Sequence, residues 1–174
     1  MQEYVEDVVD EPQGQELPPG GSYLDRLRKR REQMVQSSQT AHRDIEVPGY
    51  PDDLKIVVRF RPLTWEVLKQ IGQRVEKLRT ARKELLGHAD VLIRACDEIL
   101  VRDKGELKPI DPSGEPTRFE VKLAEMLGFE AKSARDVVFG LYMNDIAVTA
   151  AHNELAEWMP QSNADINEDL QGES

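Results

Sequence analysis

The chain has 174 residues, 33 of them acidic and 23 basic, for a net charge of -10. Mean hydropathy is -0.58, and no run approaches the roughly 18–20 apolar residues that cross a bilayer, so the sequence predicts no membrane span. A single cysteine, Cys96, excludes an internal disulfide and a Cys-rich zinc site.

The charge is uneven. Residues 1–22 hold six acids and no base, and residues 161–174 hold four acids and no base, so 23–160 balance at 23 of each sign. The acidic start is not a base-then-apolar leader, which points to a cytoplasmic setting. Both tails lack a periodic apolar face, and 1–21 is rich in Pro and Gly. Residues 1–21 and 161–174 are therefore expected to be disordered acidic tails.

Ser22-Tyr23-Leu24-Asp25 predicts a helix start with an acid three residues past the cap. The helix at 22–40 carries Leu24, Leu27 and Met34 near one face, with Arg26, Arg28, Lys29, Arg30 and Arg31 over much of the rest. So thin a stripe predicts a helix outside the core. Residues 41–53, broken by Pro48-Gly49-Tyr50-Pro51, read as a linker.

A helical domain is expected over 54–160. It opens with a strand, in which Leu54, Ile56, Val58 and Phe60 alternate with Lys55, Val57, Arg59 and Arg61. Thr64 caps a helix to about residue 81, with Trp65, Leu68, Ile71, Val75 and Leu78 at helical steps. A second helix covers roughly 84–100, with Leu85, Ala89, Leu92, Cys96 and Ile99 on one side. Residues 101–112 read as a short β-hairpin around Asp103-Lys104-Gly105, or as an extended excursion. Thr117 through Glu120 predicts a helix start, and Gly128 its end. Ser133 caps another helix, which Asn144-Asp145 interrupts. A last helix sets Val148, Ala151, Leu155 and Trp158 in register and ends at Pro160. The expected class is mostly α: four to five helices with a leading β-strand and, in the hairpin reading, a short β-hairpin.

No constellation for chemistry stands out. His42, His88 and His152 have no helical His partner, no Gly-rich phosphate loop occurs, and Asp97 and Glu98 diverge by about 100° if both lie on a helix. Cys96 reads as a small buried hydrophobe whose acidic neighbours raise its thiol pKa. The expectation is a non-enzymatic protein without cofactor or metal. Partner contacts are assigned to Trp65, Leu68, Ile71, Leu155 and Trp158, and to Leu24, Leu27 and Met34 on the basic helix. Tryptophan is a frequent anchor in interfaces. The run Arg26–Arg31 also permits a nucleic-acid-binding regulator, the weakest of the readings because acids flank it.

The stretch Ile56-Val57-Val58-Arg59-Phe60-Arg61-Pro62-Leu63-Thr64-Trp65 resembles tail assembly chaperones of long-tailed bacteriophages of actinobacterial hosts. So do Ala89-Asp90-Val91-Leu92-Ile93-Arg94-Ala95-Cys96-Asp97-Glu98-Ile99-Leu100, the block Phe119 to Gly128, and Ala134-Arg135-Asp136-Val137-Val138-Phe139-Gly140 with a closing helix to Trp158. The likeness covers about 54–160. It implies a small helical protein of the infected host cell's cytoplasm that binds the tape measure protein, keeps it soluble and helps tail tube protein polymerise around it. A frameshifted longer form is common in that family. Self-association is left open, and a minor virion structural protein, of tail or connector, is the alternative.

Overall fold

A computed structural model describes residues 22–171, for 37–39 and 160–171 the backbone alone. The expected acidic tail at 1–21 lies outside the described residues, and so do the side chains of the one expected at 161–174. The chain divides into two units, 1–33 and 34–174. The described residues form α1 (Tyr23–Thr40), β1 (Arg43–Glu46), β2 (Leu54–Phe60), α2 (Trp65–Glu76), α3 (Lys83–Ala95) and β3 (Cys96–Asp103). They continue with β4 (Glu106–Pro109), α4 (Val121–Leu127), α5 (Ala134–Tyr142) and α6 (Asp145–Gln171).

The expectation of a mostly α domain is corrected. Six helices accompany a four-stranded antiparallel sheet of order β1-β2-β3-β4, with 53% helix and 17% strand, a mixed α/β fold. Two strands account for the difference. β1 lies in the expected linker and pairs with β2 in the register Ile45↔Val58. It was hidden because it is four residues long and points only Ile45, followed by Val47, into the core.

β3 replaces the end of the expected second helix. α3 stops at Ala95, and Cys96 turns directly into strand geometry with φ -60° and ψ 121°. From Cys96 on, the apolar positions assigned to the second helix belong instead to a central strand. Ile99 faces the helices and Leu100 the opposite side, and both are buried. Asp97 and Glu98 therefore sit on a strand, where a register irregularity at Arg59/Phe60 leaves Asp97 as the extra residue of a bulge. The β3–β4 hairpin reverses through Lys104 and Gly105, both at positive φ (48° and 87°), as a two-residue turn matched to strand twist requires.

Ile45, Ile56, Val58, Phe60, Cys96 and Ile99 line one sheet face. The core forms between them and Ile71, Leu92, Leu123, Val138, Leu141, Val148 and Leu155 of the helices. On the other face, Val57 (0% exposed) and Leu100 (4%) oppose each other. The register sets Glu46 across from Val57, with Lys55 and Arg59 two residues to either side of it. Lys55 and Arg102 both pair with Glu46, and Arg59 holds Asp44 through two hydrogen bonds of 2.8 and 2.9 Å. The side chains of Lys55, Arg59 and Arg102 are only partly exposed, as expected of long charged side chains whose stems lie along apolar surface.

Caps fix the helix starts. Thr64 Oγ1 accepts from Val67 N, Ser133 Oγ from Asp136 N, and Asn144 Oδ1 from Ala147 N. α4 starts later than expected. Its cap position is Glu120, while Thr117 is buried and its carbonyl accepts from Ile99 N, extending the sheet beyond β4. Gly128 closes α4 at φ 79°. The α6 backbone continues past Pro160, where the sequence predicts an end.

Candidate partner-binding surface

α2 and α3 form a helical hairpin: Val75, in the last turn of α2, packs on Gly87, in the second turn of α3. α3 and α6 run parallel. Arg82 pairs with Asp145 at 2.9 Å, and about two turns on His88 stacks on His152 with ring centroids 4.0 Å apart. These pairings put Trp65 at the first position of α2 and Trp158 far along α6 at the same end of the helical layer, where α3 finishes and Arg61 N donates to Ala95 O.

At that end the expected contact residues divide. Trp65 is 77% exposed, although it follows the Thr64 cap and stands on a regular helix. Leu68 is half-buried and Ile71 is buried in the core, so α2 spends its inward stripe on its own domain. Leu155 is wholly buried, and Trp158 is half-buried against the core. Ile71 and Leu155 are thus out of reach of a partner docking on the surface. Trp65, with the accessible edges of Leu68 and Trp158, is what remains.

The other end of α3 and α6 presents apolar side chains outside the expected set. Met143 ends α5 in a left-handed conformation (φ 62°) and is exposed, and Ile146 is 82% exposed. Met143 lies against Gly49, where an added Cβ would stand 3.0 Å from its methyl. Arg82 stacks over Phe139 at 5.3 Å while it pairs with Asp145. A sequence signal for Ile146 existed: it falls about 200° from Val148 around the helix, off the buried stripe.

In the first unit, Ser22 and Asp25 cap α1 reciprocally. Ser22 Oγ accepts from Asp25 N at 3.3 Å, and Asp25 Oδ2 accepts from Ser22 N at 3.1 Å. Tyr23, Leu24 and Leu27 are each more than 60% exposed, and Arg26 covers the Tyr23 ring at 4.6 Å. Among the described residues no carboxylate pairs with Lys29, Arg30 or Arg31; Arg28 reaches Asp25 at 3.7 Å. Met34, which begins the second unit, is half-buried.

The titratable groups are engaged structurally. Burial pushes the Cys96 thiol up to about 12, a larger effect than that of its acidic neighbours. Lys122 Nζ, 2.7 Å away, and the Ser113 N–H hold the Asp111 carboxyl down to about 2. Asp90 takes a two-point grip from Arg135 at 2.7 and 2.6 Å, tying α3 to α5. His42 meets Asp97 at 3.0 Å. His152 is lowered, first by burial and then by His88, a pairing that sequence spacing did not reveal. No group of three or more His, Cys, Asp or Glu able to hold a metal occurs among the described residues. None of the described helices is long and apolar enough to cross a membrane.

Comparison with protein-family models, with curated proteins and with solved structures finds no match.

Proposed function

We propose that this chain is a non-enzymatic tail assembly chaperone that binds the tape measure protein of a long-tailed phage in the host cytoplasm, keeps it soluble and promotes tail tube assembly. The observation that carries the reading is Trp65. A large aromatic at the first turn of a capped helix stays in water while the rest of the helix's apolar stripe packs inward. An exposed indole on a helix makes an effective anchor, because only two side-chain torsions are fixed for a large apolar area buried. Leu24 and Leu27 in α1, and Met143 and Ile146 at the α5–α6 corner, add apolar contact points for an extended, apolar-rich chain. The residues quoted for the family likeness lie within 54–160, the region that carries Trp65.

The test is co-expression with the tape measure and tail tube proteins of the same genome, followed by pull-down, with mass spectrometry of purified particles. The reading predicts capture of the tape measure protein and absence from mature particles. Presence in particles at stoichiometric amounts would make the chain a minor tail or connector component instead. Failure to capture the tape measure protein would remove the chaperone reading.

A further inference from the structure

We infer that the apolar, basic face of α1 is a docking site for the chain's own residues 3–11, so that the acidic segment masks the helix in cis. Tyr23, Leu24 and Leu27 are exposed on a helix that carries Arg26, Arg28, Lys29, Arg30 and Arg31. Apolar side chains ringed by bases call for an occupant with apolar groups ringed by acids. Residues 3–11 have that composition. Glu3, Glu6, Asp7, Asp10 and Glu11 supply five negative charges against the five positive ones of α1. Tyr4, Val5, Val8 and Val9 are spaced by one and four, too short a run to make a sustained apolar face but the spacing that puts them on one side of a helical turn.

Reach and concentration permit it. The eleven residues 12–22 contain Pro12, Gly14, Pro18, Pro19, Gly20 and Gly21, and they span up to about 36 Å when extended. Residues 23–31 of a helix extend only about 13 Å. A tether of this length holds the segment at roughly millimolar effective concentration, so weak pairing suffices. A partner that takes this face must displace the segment with carboxylates and apolar groups of its own. The face is one that the chaperone reading offers to the tape measure protein, but the test below uses the chain alone, so the two can fail separately.

The test is paramagnetic broadening in the full chain. A nitroxide goes on Gln2→Cys; Cys96 is buried, with its thiol pushed up, and does not compete. Docking predicts that amides within 24–33 lose roughly half or more of their intensity at about 20 mM salt and regain it at about 0.5 M, where the screening length falls to a few ångströms. Replacing Arg28, Lys29, Arg30 and Arg31 by Glu should abolish the loss. Adding Glu6→Lys, Asp7→Lys, Asp10→Lys and Glu11→Lys to that variant should restore it. No broadening at low salt, broadening that survives high salt or charge reversal, or broadening only between separate molecules in a mixed sample would each overturn the inference.

Discussion

α1 and α6 begin from comparable patterns and come to different ends. In α6, Val148, Ala151, Leu155 and Met159 recur at steps of three and four, and all are buried. In α1, Tyr23, Leu24 and Leu27 fall near one side, and all are exposed. α6 has a stripe wide enough to pack on α3 and α5, and His152 and Thr149 flank it. α1 interleaves its few apolar groups with five bases, whose desolvation would cost more than so little apolar burial returns. Periodicity marks a face; its width and its charged rim decide whether it is buried.

The contrast is broken most forcefully in the core. Leu155→Ala should cost about 2–5 kcal/mol, read as a fall in the urea midpoint, because the side chain is fully enclosed. Gly140→Ala should come next. Its Cβ would stand 2.3 Å from the Phe129 ring, so the ring must move, at a cost of about 1–3 kcal/mol. Tyr142→Phe tests the core from the other direction. The tyrosine hydroxyl is buried with no hydrogen-bond partner among the described residues, so its removal should leave stability unchanged or raise it by about 1 kcal/mol. A clear loss would reveal a partner for that oxygen.

The seam between α3 and α6 predicts a pH effect. The folded-state pKa of His152 is lowered, so its neutral form is favoured by folding. That contribution is fully present above the unfolded histidine value of about 6.5 and is lost as pH falls below it. The urea midpoint should therefore drop between pH 7.5 and pH 5.5, by less in His152→Gln than in the unaltered chain, as about one histidine's titration predicts. The smallest effect belongs to the exposed face. At about 0.5 M salt, where the acidic segment is released, Leu24→Ser with Leu27→Ser should shift stability by no more than about 0.5 kcal/mol, since both side chains are then exposed.

What could be read from the sequence follows the same logic. Thr64, Ser133 and Gly128 announced their helix boundaries, because capping is a local event between near neighbours. The Lys104-Gly105 reversal was legible for the same reason. β3 was not, because Ile99-Leu100-Val101 is apolar on both faces and period alone does not separate a central strand from a two-sided helix. β1 needed its partner Val58 to be recognised, which is a long-range fact. Of the candidate contact residues, Trp65 and Leu24 with Leu27 lie on the surface, whereas Ile71 and Leu155 do not. The helical stripe named them equally, and only the packing of α2 and α6 on the rest of the fold distinguishes them. The His88–His152 stack and exposed Met143 likewise depend on how distant elements meet.

The central claim is that Trp65 is held in water to receive an apolar partner. In the Trp158→Phe variant Trp65 is the remaining indole, since the chain has two tryptophans. Its fluorescence reports the site directly. Adding the tape measure protein should move the emission to shorter wavelength and shield it from acrylamide quenching, with the urea midpoint of the free variant close to that of the unaltered chain. Binding that leaves the emission and quenching of Trp65 unchanged would contradict the account.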